Sequence, residues 1–275
     1  MKTTKLENDV QNFINALRAE TNGTKRIKIC VDARLELEKA HTVNTVLTYL
    51  TTYRKEVETV FGANSALLKH LKPHKKVVDK ERKEYRKAIQ VRTEQNDLVA
   101  IPNHIELIEF AKGLLGSSSY LKVSLGLMLL TGRRSVEILK TGSFSKVQSK
   151  KNEVLFSGQA KKRGEISQAY KIPTLCAPAL VIDALEWLRR EKGELLGLTE
   201  KQLNAKCAAP LNTLSKCFLG WLGNGCTPHD LRKAYAAICY GISNKKQSFR
   251  GFAALVLGHN SDSELTTETY FKYTI

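Results

Sequence analysis

The chain has 275 residues, 42% of them hydrophobic, which suits one large folded domain or two ordinary ones and excludes an intrinsically disordered protein. No apolar run approaches the roughly 18 residues a membrane span requires, and Met1 to Asn12 alternates polar and charged residues with no apolar secretion core, so a soluble, cytoplasmic protein without a membrane partner is expected. A balance of 44 Lys and Arg against 27 Asp and Glu leaves a formal charge of +17, and a surface that basic calls for a polyanion.

Residues 1 to about 68 read as helices, with Val10, Phe13, Ile14 and Leu17 at helical spacing, then Val43, Val46, Leu47 and Leu50. From Lys69 to Arg92 the chain carries 7 Lys and 3 Arg against Asp79, Glu81 and Glu84, a net of +7 in 24 residues. This basic linker helix, about 69–92, offers Lys69, Lys72, Lys75, Lys76, Lys80, Arg82, Lys83, Arg86, Lys87 and Arg92 to the phosphates of a nucleic acid. Residues 1–100 are thus expected to form a helical DNA-binding domain. Pro102 breaks the pattern, and a second domain, 101–275, opens with an apolar helix carrying Ile105, Ile108, Ala111 and Leu115.

A helix from Tyr120 to Leu130 is apolar nearly all round and belongs in the core; it stops at Thr131-Gly132, and another starts with Arg134. Val154–Phe156 and Tyr170–Ile172 read as two short strands, bounded by Pro173 and joined by a basic, Gly-containing turn. Helices resume from Leu180 to Arg190 and continue to the end, so the expected fold class is mainly α with a small antiparallel sheet. The six cysteines, Cys30, Cys176, Cys207, Cys217, Cys226 and Cys239, form no C-x-x-C pair and sit near no His set, which points to reduced, mostly core thiols and to no zinc site or disulfide frame. Neither a metal nor a cofactor is implied.

Four separated segments carry groups suited to a phosphodiester. In Thr131-Gly-Arg-Arg-Ser-Val-Glu-Ile-Leu139, Gly132 lets one helix stop and Arg134 opens the next, where backbone N–H groups favour an anion and a guanidinium can grip two phosphate oxygens. In Phe156-Ser-Gly-Gln-Ala-Lys-Lys-Arg163, the turn presents Lys161 and Lys162, either of which can protonate a leaving 5′ oxygen, with Arg163 beside them as a further backbone contact. Thr227-Pro-His-Asp-Leu-Arg232 has the marks of a helix start, with Thr227 as N-cap, Pro228 next and Asp230 in the first turn; His229 and Arg232, three apart, project from one face near the N-terminus. Finally, Gly258 presents His259, and Thr266 or Thr267 caps a short helix bearing Tyr270, whose phenol can attack phosphorus; Tyr273, three residues on, shares nearly the same face and is its rival.

The order Arg134, Lys161, His229-x-x-Arg232, Gly258-His259, Tyr270 resembles the signature of the tyrosine recombinases and their type IB topoisomerase relatives, over roughly Ile101 to the end. Within that superfamily, Phe156-Ser-Gly-Gln-Ala-Lys161 leading to Tyr170-Lys-Ile-Pro-Thr174, with Gly132-Arg-Arg-Ser-Val-Glu-Ile138, looks like the telomere resolvases, or protelomerases. The resemblance implies a helical DNA-binding domain followed by a catalytic domain closing around a duplex, and double-stranded DNA with an inverted repeat as partner, bound by a homodimer. It implies Tyr270 as nucleophile, Arg134 and Arg232 clamping the non-bridging oxygens, His259 donating a further hydrogen bond, Lys161 as general acid and His229 assisting proton transfer, with no metal or ATP. Eleven positions separate His259 from Tyr270, longer than most recombinases show, and the five residues after Tyr270 leave out the helix that integrase-type enzymes dock on a neighbour, so tetramer cycling is not expected. The rival readings are an ordinary tyrosine recombinase or integrase, which joins strands between duplexes, and a DNA-binding protein without catalysis.

Overall fold

Two compact units, residues 1–88 and 89–275, divide the chain in the computed structural model, which describes residues 5–94, 98–147, 152–160, 168–243, 246–258 and 270–275, apart from the side chains at 86, 89, 90 and 92–94. The division falls within the basic helix, after Ala88, whereas the change in sequence pattern suggested a boundary at 100/101.

The first unit is built from α1 (Lys5–Ala19), α2 (Gly23–Ala40) and α3 (Val43–Phe61). Val10, Phe13, Ile14 and Leu17 meet Val46, Leu50, Tyr53 and Val57, the arrangement that a 3.6-residue apolar stripe dictates. The Phe13 and Tyr53 rings pack with centroids 4.8 Å apart. Asn22 caps α2 by accepting from the Thr24 and Lys25 amides. A 3₁₀ turn, Ala66–Leu71, adds Leu67 and Leu71 to the core, and α4 (Lys75–Glu94) follows Pro73. Lys69 and Lys72 therefore precede the basic helix and do not ride on it. Lys69, Lys72, Lys75, Lys76, Lys80, Arg82, Lys83 and Lys87 are all exposed; the Arg86 and Arg92 side chains lie outside the described residues.

In the second unit, β1 (Val99–Ala100) is followed by α5 (His104–Leu115), capped by Asn103, which accepts from the Glu106 amide at 3.0 Å. This helix turns Leu107 and Ala111 inward, while Ile105, expected on the apolar face, is 65% exposed. At the centre stands α6 (Tyr120–Thr131), buried on every side from Val123 to Thr131, as its unbroken apolar sequence demands. β2 (Ser143–Lys146), β3 (Glu153–Ser157) and β4 (Tyr170–Pro173) form an antiparallel sheet in that order. The register opposes Phe156 to both Phe144 and Tyr170, and the rings pack at 5.6 and 5.7 Å. β2 escaped the sequence reading because Phe144 is its one apolar residue. Helices α7 (Pro178–Glu191), α8 (Glu200–Leu214), α9 (Leu219–Leu222), α10 (Pro228–Ile242) and α11 (Phe249–Leu257) follow, and β5 (Tyr273–Thr274) pairs in parallel with β1. Among the described residues no helix is long and apolar enough to cross a membrane, and all six cysteines are free, with Cys217 exposed and the others buried.

Gly132 ends α6 in the left-handed conformation, φ 66°, directly over the Tyr235 ring. An alanine there would meet a backbone penalty, and its Cβ would overlap that ring, which α10 holds by a 2.7 Å bond from the Tyr235 hydroxyl to the Pro173 carbonyl. Gly132→Ala is expected to destabilise the unit by about 2–4 kcal/mol, combining left-handed strain with overpacking. Urea denaturation of the purified variant reads this directly.

Candidate active site

The site forms where two helices stop. α6 ends at Gly132 and α11 at Gly258, both left-handed, and their last carbonyls, lacking intrahelical partners and carrying the negative ends of the helix dipoles, converge on guanidinium groups. Arg133 donates from Nε to the Thr131 carbonyl at 3.1 Å, from Nη1 to the Tyr170 hydroxyl at 2.6 Å and from Nη2 to the Val256 carbonyl at 2.6 Å, and lies 4.6 Å over the Phe156 ring. Arg232, carried by α10, donates from Nη1 to the Gly132 carbonyl, from Nη2 to the Leu257 carbonyl at 2.7 Å and from Nε to the Tyr270 hydroxyl at 3.1 Å. Both side chains are fully buried. Burial, and next the Arg133 charge, lowers Arg232 to about 10, so it stays a cation at neutral pH.

Glu137, which the sequence reading did not single out, balances this charge. It is fully buried and accepts from the Arg134 amide at 2.8 Å, from Arg134 Nη1 at 2.7 Å and from the Ala160 amide at 3.1 Å. Burial alone would raise its pKa, but the Arg232, Arg133 and Arg134 charges outweigh that and hold it below the ordinary carboxylate value, so Glu137 is ionised. The stretch after Arg134 passes into a π-helical turn, Glu137–Thr141, and the Arg134 amide ahead of it is taken by the Glu137 carboxylate. Arg134 keeps a partly exposed side chain, which also reaches the Ala160 carbonyl at 3.4 Å. A carboxylate three residues after a helix-opening arginine has the spacing of a capping box, the one sequence signal that could have marked Glu137. Ala160 directly precedes Lys161; Lys161, Lys162 and Arg163 lie outside the described residues, as does His259.

The start of α10 is the one its sequence dictates: Thr227 precedes the helix, Pro228 opens it, and Asp230 accepts from the Thr227 amide at 3.0 Å and hydroxyl at 2.8 Å. His229 packs its ring 5.4 Å from the Tyr270 ring. Burial, followed by the Lys233 and Arg232 charges, lowers His229 to about 4, leaving a neutral imidazole beside the phenol. Asp230 also accepts from Lys233 at 3.1 Å and from Lys272 at 3.0 Å; burial opposes ionisation, yet these bonds bring it to about 2.

Tyr270 lies in a turn that leads into β5, not on a helix; Thr266 and Thr267, the expected caps, lie outside the described residues. The rival phenol therefore does not share its face. Tyr273 sits on the strand, donates to the Leu222 carbonyl at 3.2 Å, and is pushed up by burial to about 12. Of the sequence-derived candidates, the structure brings Arg232 and His229 each against Tyr270, and Glu137 joins Arg134 to the same charge cluster.

The profile described as "Telomere resolvase ResT/TelK catalytic domain" matches residues 97–273, more than half of the chain. The chain belongs to the telomere resolvase family. A telomere resolvase relative, the protelomerase of Yersinia phage PY54, is 33% identical over 135 residues, a match covering 45% of this chain and 21% of that protein. The match thus spans about a fifth of that relative's length. Among solved structures, a protelomerase TelA variant covalently complexed with substrate DNA superposes with a TM-score of 0.86 at 24% identity, over 100% of this chain and 90% of that one. A TelA variant complexed with a DNA hairpin product gives 0.86 at 22% identity, over 100% and 89%. Protelomerase TelK complexed with substrate DNA gives 0.61 at 22% identity, over 97% of this chain and 57% of that one. At these identities the telomere resolvase structures establish a shared fold.

Proposed function

We propose that this protein is a telomere resolvase that cleaves inverted-repeat duplex DNA through a 3′-phosphotyrosine and rejoins the strands as covalently closed hairpin ends. The observation that carries the reading is the Tyr270 hydroxyl held 3.1 Å from the Nε of a buried, charged arginine, in a chain of the telomere resolvase family. A phosphate entering beside Tyr270 would meet Arg232 and Arg134 around its non-bridging oxygens, with water excluded from the buried side. The phenol oxygen bonds to phosphorus as the bond to the 5′ oxygen breaks. The neutral His229 imidazole can accept or relay the phenolic proton, and Lys161 supplies the proton taken by the departing 5′ oxygen. His259 adds a hydrogen bond to the phosphate.

The phosphotyrosine preserves the energy of the cut bond, so the 5′ hydroxyl of the opposite strand can displace the tyrosine without ATP, which closes a hairpin. Two protomers on an inverted repeat, each cutting one strand, account for two closed ends in cytoplasmic DNA. The exposed lysines and Arg82 around α4 are suited to the sequence-independent phosphate contacts that hold such a duplex.

The test is to incubate the purified protein with pooled inverted-repeat duplexes, without ATP and with chelator present. Products that snap back after denaturation are expected. Holliday junctions, or strands exchanged between duplexes, would instead assign the chain to integrase-type recombination, and tight binding with no covalent protein-DNA adduct would assign it to a non-catalytic role.

A further inference from the structure

The segment that carries Tyr270 makes a charged contact with the rest of its unit that the reaction chemistry above leaves unused. Lys272, two residues after Tyr270, sends its ammonium to Asp230 at 3.0 Å. Asp230 is almost fully buried and fixed in place by the Thr227 amide and hydroxyl, and it stands on the helix that bears His229 and Arg232. The same lysine shapes the turn itself, because its amide donates to the Tyr270 carbonyl at 2.9 Å. Its own carbonyl accepts from the Val99 amide at 2.9 Å, and the Thr274 carbonyl accepts from Ile101 at 2.8 Å, so the strand pairing starts at this residue. Further along, Ile275 packs on Gly241 of α10, where there is no room for a Cβ. Lys272 is thus the point at which turn, strand and helix are tied together.

We infer that Lys272 and Asp230 are positioning residues for strand cleavage: their ion pair holds the Tyr270 turn against the His-x-x-Arg helix, so that the phenol stays within reach of Arg232. Neither group needs to touch the reacting atoms. Lys272 is engaged with Asp230 and lies 5.0 Å over the Tyr273 ring, and Asp230 points at the helix start and at two ammonium groups. Losing Lys272 removes the ammonium that comes from the Tyr270 turn and leaves Asp230 with Lys233 of its own helix at 3.1 Å, so the carboxylate stays paired while the tether is cut. The inference rests on the nucleophile assignment made above.

Single-turnover trapping on a 5′-phosphorothiolate duplex, with affinity for an uncleavable duplex measured in parallel, tests it. Lys272→Met should slow adduct formation by about 10²-fold, the scale of loss that a displacement near 1 Å produces, with affinity unchanged. Asp230→Asn, which can still accept from the Thr227 amide, should slow it similarly; the double variant should be no slower than the worse single one, and Lys272→Arg should recover most of the rate. Hydrogen exchange in the free protein gives a readout independent of catalysis: the Val99 and Ile101 amides should exchange about tenfold faster or more in Lys272→Met, as the strand pairing loosens. A wild-type rate in Lys272→Met with unchanged exchange overturns the inference. So does a loss of affinity that matches the loss of rate, which would make Lys272 a phosphate contact. Should the unaltered protein form no adduct, the nucleophile assignment falls, and the exchange measurement alone decides whether the tether exists.

Discussion

Tyr270→Phe is expected to abolish the covalent protein-DNA adduct while leaving duplex binding intact, a loss on the order of 10⁴ to 10⁶ in cleavage rate, as removal of a nucleophile produces. The phenylalanine ring keeps the packing against His229 and loses only the hydroxyl that meets Arg232. Tyr273→Phe should behave differently. It deletes a bond to the Leu222 carbonyl, which costs about 1 kcal/mol of stability, and leaves the adduct in place. A mass-spectrometric map of the DNA-linked peptide distinguishes the two phenols, and an adduct at Tyr273, or one surviving in Tyr270→Phe, would remove the nucleophile from the mechanism proposed.

Glu137→Gln should be nearly as damaging, for an electrostatic reason. Three guanidinium groups, Arg133, Arg134 and Arg232, lower the pKa of this one buried carboxylate, and the neutral amide would leave their mutual repulsion unbalanced. Breaking a buried ion pair by removing one partner costs about 3–5 kcal/mol. Because the folded-state pKa of Glu137 lies below its unfolded value, the stability it contributes is complete above the ordinary carboxylate range, near pH 4.3, and is lost as pH falls through the lower folded value. The gap in urea stability between the two proteins should therefore be full at neutral pH and narrow in acid. A constant gap across that range would mean that Glu137 acts by shape, not by charge. Adduct formation should fall too, since Arg134 and the amide of Ala160, next to Lys161, both depend on this carboxylate.

The parts of this arrangement that were legible in the sequence are those set by local rules. Thr227, Pro228 and Asp230 announce a helix start because capping geometry depends on neighbours alone, and Gly132 marks a left-handed stop for the same reason. The helical stripe of α1 identifies its own core face. What could not be read depends on distant partners. Of two adjacent arginines, Arg134 was marked by its place after Gly132 and stays at the surface of the site, while the burial of Arg133 against Tyr170 and Val256 had no local signal, because those partners come from far along the unit. Ile105 fits an apolar face, yet the neighbours of α5 select Leu107 and Ala111. Tyr270 and Tyr273 were placed on one face by helical spacing, whereas a turn followed by strand pairing sends the second phenol to Leu222.

That pairing joins β1, from the beginning of the catalytic unit, to β5, at the other extreme of its sequence. Closing so long a loop is entropically late, coming after the local contacts of the helices have formed. A half-folded molecule would thus present its basic helix with Tyr270 not yet beside Arg232, so the proposed nucleophile enters the site only when the two extremes of the unit meet.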